Sequence, residues 1–146
     1  ITACDVRLAS ADAKFSVREV KLAMVADVGT LARLPAIVGQ GVARELALTG
    51  DDFDAARALR IGLVNEVLPS KSELLTHARA MAARMAKNSP LVLGGIKEVM
   101  NAQSESVARE SLATVALWNS AFLPSKDLLE AMGAFLEKRE PTFSGE

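Results

Sequence analysis

Glu19 and Asp27 stand eight positions apart in an otherwise mostly apolar stretch, Phe15-Ser16-Val17-Arg18-Glu19-Val20-Lys21-Leu22-Ala23-Met24-Val25-Ala26-Asp27-Val28-Gly29-Thr30. Lys21 is the only other charge between them. Carboxyl groups are costly to bury, and apolar surroundings move a carboxyl toward the range useful for proton transfer. Two acids facing one substrate could take a proton from one carbon and return one at another. The same spacing also admits a structural reading, in which Glu19 ends a strand at the surface and Asp27 caps a helix.

The elements that must position this pair are legible from local pattern. Asp5 to Ala9 alternates polar and apolar residues, which predicts a strand, and Ala13 to Val17 predicts another. From Val28 to Gly50 the period lengthens toward that of a helix, with Gly39 and Gly41 punctuating two short ones. Asp27 is expected at the start of the first, which runs through Leu31 and Leu34. Asp54 suits the cap of a helix over Ala55 to Arg60 that Gly62 ends, and Leu63 to Leu68 returns as a strand. Ser70 or Ser72 starts a further helix with Leu74, Ala78, Met81 and Met85 on one face. Asn88-Ser89-Pro90 breaks it, and Pro90 suits a first helical turn. Another helix is predicted from about Ser104 to Phe122, with Leu112, Val115, Asn119 and Phe122 on one side. After Pro124-Ser125 the last runs from Asp127 to about Lys138. Strands therefore dominate early and helices late, without the alternation of a doubly wound sheet.

Composition narrows the class. The chain has 146 residues, half of them hydrophobic, enough for one domain of ordinary size. Lys plus Arg number 17 against 18 Asp plus Glu, so no basic surface marks a nucleic-acid partner. No apolar run approaches the roughly 20 residues of a membrane span. One cysteine, Cys4, excludes an internal disulfide. Gly39-Gln40-Gly41 begins a dinucleotide-like pattern, but Arg44 stands where its third Gly would be. Gly94-Gly95 reads as close helix packing. His77, the single histidine, has one distant Cys for company, so no metal site is expected. Arg33 and Arg44 read as structural or surface groups.

Ala26-Asp27-Val28-Gly29-Thr30-Leu31-Ala32-Arg33-Leu34-Pro35 with Val38-Gly39 resembles the centre of the crotonase (enoyl-CoA hydratase/isomerase) superfamily. Glu45 to Gly50, Ala55 to Asn65, Ser89-Pro90 and Ala134 to Phe143 resemble that superfamily in the same order and spacing. The resemblance spans essentially the whole chain. Hydratases usually carry Pro-Gly where this chain has Ala26-Asp27; an Asp there, with a Glu eight residues earlier, resembles the delta(3,5)-delta(2,4)-dienoyl-CoA isomerase branch.

The resemblance implies an α/β fold: the C-terminal part of a crotonase spiral, with residues 1–69 carrying the acid pair in the β/α core. Residues 70–146 would form the helical region for oligomerisation and CoA contact. It further implies isomerisation of a 3,5-dienoyl-CoA to the 2,4-dienoyl-CoA, with Glu19 serving the thioester-side carbon and Asp27 the distal one. Phe135 and Lys138 match family positions that contact CoA; their own residue types equally fit a core Phe and a solvated Lys at a helix end. No cofactor is implied, CoA being part of the substrate, and the expected partners are an acyl-CoA and further copies in a homotrimer or dimer of trimers. Met81, Met85, Leu112, Trp118 and Phe122 either supply such contacts or, as most helical stripes do, fill the chain's own core. A bacterial source would imply the cytoplasm, a eukaryotic one mitochondria or peroxisomes.

Two departures concern the pocket wall: Ala23 stands where the superfamily commonly has Gly, and Met24 where it has Leu. The chain opens at Ile1 without Met, at a point that resembles the middle of the family's catalytic domain. Both oxyanion-hole elements and a further acid would precede Ile1, so the chain is expected to be a C-terminal portion and a poor catalyst alone. Each missing oxyanion donor costs about 3–4 kcal/mol of barrier. The alternatives are an enoyl-CoA hydratase or other acyl-CoA enzyme of the superfamily, and a non-catalytic CoA-binding, trimerising module.

Overall fold

The computed structural model describes residues 1–145, with the side chains of 103–106 left aside; Glu146, the end of the expected helical region, lies outside them. Two short sheets lie in the first half of the chain. Strand β1 (Leu8–Ser10) pairs in parallel with β4 (Glu66–Leu68), Leu8 opposite Glu66 and Ser10 opposite Leu68. Strand β2 (Lys14–Phe15) pairs antiparallel with β3 (Phe53–Asp54). Both strands predicted at Ala13–Val17 and Leu63–Leu68 are shorter than their patterns suggested: the Ala13 amide closes a turn on the Ser10 carbonyl, Val17 leads into a 3₁₀ helix, and the Leu63 and Val64 amides bond the Ala58 carbonyl at 2.9 and 3.3 Å. A 3₁₀ helix over Arg18–Leu22 follows β2.

Among the described residues six α-helices complete the fold. Helix α1 (Thr30–Val38) and α2 (Gln40–Thr49) meet at Gly39, whose φ of 82° lets one chain direction end as the next begins. Gly41, expected to punctuate this region too, lies inside α2. Asp54 caps α3 (Ala55–Arg60) by accepting the Arg57 amide at 2.8 Å, and Ser70 caps α4 (Lys71–Met85) through the Glu73 amide at 3.3 Å. Ser125 caps α6 (Lys126–Glu137) through the Leu128 amide at 3.2 Å.

Helix α5 differs from the expectation. It is one helix of 33 residues, Pro90–Phe122, not a short piece followed by a second beginning near Ser104. Pro90 opens it, where a missing N–H costs nothing. Gly94 and Gly95 do not interrupt it, and a β-carbon at either would meet no neighbour, so close packing is not their role. Their cost in helix propensity, about 1 kcal/mol each, is spread over a long cooperative run.

The core sits in the first half. Ala9, Leu34, Ala43, Leu46, Phe53, Ala58, Leu63 and Val64 are buried together, and the Phe15 and Phe53 rings stack 5.6 Å apart. Three of these are alanines, whose small side chains bring backbones close. Helix α4 packs on β1 and β4, α5 on α1, and α6 on the 3₁₀ helix. Asp5 joins α5 to the start of the chain by a 2.7 Å pair with Lys97.

The second half buries little. Of α5's described side chains only Val115 is buried, and α4 buries none. Met81 and Leu112 are half-buried, but Met85, Trp118 and Phe122 are exposed, so the reading that they fill this chain's own core is corrected. The helical period marks an apolar face and not what covers it.

Candidate active site

The 3₁₀ helix that carries Glu19 is held from several sides. Ser16 Oγ donates to the Gly50 carbonyl at 2.9 Å, Arg18 pairs with Asp52, and Lys21 Nζ lies 3.2 Å from Asp51. Gly50 ends α2 at φ 62°, and a β-carbon there would come within 2.7 Å of Val20 Cγ1. Glycine is therefore required twice at this position, for the left-handed turn and for the approach of the 3₁₀ helix.

Glu19 is half-buried on this helix and not at the end of a strand, correcting the structural reading of its position. Ala23 closes the helix in the left-handed region at φ 54°, so the Ala23 amide reaches the Val20 carbonyl at 3.3 Å and the Met24 amide reaches the Glu19 carbonyl at 3.2 Å. The chain then turns through Val25 and the buried Ala26 to Asp27.

Asp27 is exposed and does not cap α1. Gly29, at φ 82°, occupies that place, and no side chain accepts from the first turn. The half-buried Arg33 fills the space instead: its guanidinium donates to the Val28 carbonyl at 3.2 Å and would lie 2.3 Å from a β-carbon on Gly29. The motif thus puts Asp27 two residues before the cap, on the turn itself.

Both acids consequently flank one turn whose ends are fixed by different elements. Among the described residues no hydrogen bond or ion pair reaches either carboxylate, while the nearby cations Arg18 and Lys21 are engaged by Asp52 and Asp51. Carboxylates left unpaired in this way can accept or donate a proton to a bound molecule, which a salt-bridged carboxylate does poorly.

The middle of the turn is gripped from α5. Asn119 accepts the Val25 amide at 3.2 Å through Oδ1 and donates to the Val25 carbonyl at 3.0 Å through Nδ2. Sequence pattern placed Asn119 only on a helical face. Its signal was a carboxamide among Leu112, Val115 and Phe122, a polar group that burial obliges to find partners.

Beside the turn lies an apolar groove of ≈ 210 Å³, walled by Val20, Ala23, Met24 and Val25 on one side and by α5 on the other. The Trp118 and Phe122 rings, 4.8 Å apart, form that second wall. A larger hollow, ≈ 480 Å³ between β4 and α4, contains none of the turn. His77 there is half-buried with Nε2 3.1 Å from Glu66 Oε2, near but not aligned for a hydrogen bond.

Phe135 and Lys138 lie at the end of α6. Phe135 is 76 % exposed, so the core reading of this residue is corrected. Lys138 is exposed at φ 56° and turns the chain out of the helix: its amide bonds the Phe135 carbonyl at 3.3 Å and the Arg139 amide bonds Ala134 at 3.0 Å. This is a Schellman closure, a place where glycine is the usual occupant. Arg139 then grips Glu130 with two bonds of 2.6 and 2.9 Å, and the Thr142 amide donates to the same carboxylate at 2.9 Å. The Arg139 guanidinium first, and the Thr142 amide second, hold Glu130 down from 4.5 to about 2.

Residues 1–146 match the enoyl-CoA hydratase/isomerase family. A mitochondrial delta(3,5)-delta(2,4)-dienoyl-CoA isomerase of Dictyostelium discoideum is 53% identical over 143 residues, 98% of this chain and 49% of that protein. A peroxisomal dienoyl-CoA isomerase of Arabidopsis thaliana is 49% identical over 144 residues, 99% of this chain and 52% of that protein. The chain therefore spans about half the length of these curated relatives. Among solved structures, a carnitinyl-CoA hydratase from Mycobacterium avium superposes with a TM-score of 0.91 at 32% identity, covering 99% of this chain and 56% of the other. The fold is thus the α/β crotonase fold, represented by the portion that these residues form.

Proposed function

The chain belongs to the enoyl-CoA hydratase/isomerase family, the crotonase superfamily, and from that premise we propose that the protein carrying it isomerises a 3,5-dienoyl-CoA to the 2,4-dienoyl-CoA. The observation that carries this reading is the pair of unpaired carboxylates, Glu19 and Asp27, on one braced turn beside an apolar groove. The dienoyl-CoA isomerase relatives from two organisms support the same branch.

In this mechanism Glu19 takes a proton from the carbon beside the thioester carbonyl, and the electron pair delocalises over the carbonyl and both double bonds as an extended enolate. Asp27, carrying a proton, delivers it to the far end of the conjugated system, and the double bonds shift toward the thioester. Proton exchange with solvent restores the two acids. Two groups are needed because the two carbons are several ångströms apart, beyond the reach of one short side chain. The steps are proton transfers within one molecule, so no cofactor is required, and CoA is the handle of the substrate.

Phe135 and Lys138 are assigned to the CoA moiety, an exposed ring and ammonium three residues apart on neighbouring sides of a helix end. A lysine held at positive φ costs about 1 kcal/mol relative to glycine, a strain consistent with use of its side chain. On this reading residues 1–69 carry the chemistry and 70–146 the assembly and CoA contacts. The exposed apolar faces of α5 and α6 support assembly into a homotrimer or a dimer of trimers.

The test follows the ultraviolet absorbance of a 3,5-dienoyl-CoA as its bonds enter conjugation with the thioester, on the full natural protein that carries this chain. Wild type should show a rise, and Asp27→Asn should lower the rate by about a hundredfold or more. Hydration of a 2-enoyl-CoA without isomerisation would replace the reading with a hydratase. Binding of CoA without either reaction would leave a non-catalytic module.

A further inference from the structure

We propose that Asn119 is a positioning residue for the acid turn, acting through the Val25 peptide; this rests on the isomerase reading above. Between Ala23 and Asp27, the only hydrogen bonds that come from beyond the turn and its 3₁₀ helix, among the described residues, are the two made by Asn119. One would fix a distance. Two, one donated and one accepted, also fix the orientation of the Val25 backbone.

Val25 lies between the two acids, so its backbone torsions determine how the Glu19 and Asp27 branches of the turn are set against each other. The partner element is independent of the turn, since α5 is seated on α1 and reaches back 94 positions in sequence to make this clamp. Asn119 also lies on the wall of the apolar groove, between Trp118 and Phe122. The site's two walls are thereby tied together at one residue. An apolar side chain at 119 would leave both the Val25 N–H and its carbonyl without these partners, and the turn would sample other shapes.

Misplacement of a reacting group by about an ångström can cost on the order of a hundredfold in rate. Loss of the clamp is therefore expected to act on turnover and not on substrate affinity, because Asn119 holds the acids in place and is not assigned to CoA. The test compares Asn119→Leu, Asn119→Asp and a packing control, Val115→Ala, one turn away on α5, in the full natural protein with a 3,5-dienoyl-CoA. Asn119→Asp keeps an acceptor for the Val25 amide but turns an anionic oxygen toward the Val25 carbonyl, and its near-identical shape carries the test if the leucine variant does not fold.

Both Asn119 variants should lose about ten- to a hundredfold in kcat with KM changed less than about threefold. Val115→Ala should lose thermal stability and keep kcat. Unchanged kcat in the Asn119 variants, or an equal loss of kcat in Val115→Ala, would overturn the proposal while leaving the isomerase reading intact. A wild-type protein without isomerase activity would bring down that reading, and this proposal with it.

Discussion

At the scale of single residues, Ala23 is held where its side chain is least comfortable. Its φ of 54° places the β-carbon against the following carbonyl, at a cost of about 1 kcal/mol that glycine does not incur. Glycine would lose more conformational freedom on folding, offsetting part of the relief. The net expectation for Ala23→Gly is a gain of about 0.5 kcal/mol, read as a rise of about 1–2 °C in Tm. A fall in Tm would show that the methyl group, which lines the groove, contributes more through packing than its conformation costs. Asp27 illustrates a different point at this scale. In the proposed reaction its use depends on what does not bind it: Gly29 caps the following helix, so the carboxylate is not spent on the helix amides.

Elements matter here chiefly through their ends. The 3₁₀ helix is seated against the close of α2 because Gly50 has no side chain to exclude Val20. Helix α6, which packs on the 3₁₀ helix, is finished by a clamp in which Glu130 receives Arg139 and the Thr142 amide. Since the Glu130 carboxyl is held below its ordinary 4.5, at about 2, the clamp's contribution is complete above the ordinary value. It declines as pH falls and is lost on passing through about 2. The amide resonance of Thr142, followed by NMR against pH, should accordingly shift with a midpoint near the lower value. A midpoint at the ordinary carboxyl value would mean that the tail is not held by Glu130 in solution.

Over the whole molecule, burial is uneven. The first half encloses a core around Leu34, Leu46 and Phe53, whereas Leu91, Val99, Met100 and Leu117 on α5 and Leu129 and Leu136 on α6 are all more than two-thirds exposed. Apolar surface of that extent is costly in water and supports the proposed assembly. Among the described residues no helix is long and apolar enough to cross a membrane. The proposed trimer therefore predicts, for the full natural protein, a sedimentation mass of three or six chains at micromolar concentration. A stable monomer at that concentration would remove the trimer and its shared CoA contacts from the proposal.

The sequence by itself determined the α/β class and most helix boundaries, and it singled out the acid pair on which the proposed function rests. Asp54, Ser70, Ser125, Pro90 and Gly39 are legible because capping and turn formation depend on residues no more than about four positions away. Contacts across the chain could not be read in that way. The unbroken run of α5, the approach of Gly50 to Val20, and the exposure of Phe122 and Phe135 depend on neighbours distant in sequence. So does the clamp from Asn119 to Val25. Local pattern marks which side chains are apolar or reactive; only tertiary structure decides what faces them, because burial and hydrogen-bond satisfaction belong to the packed chain.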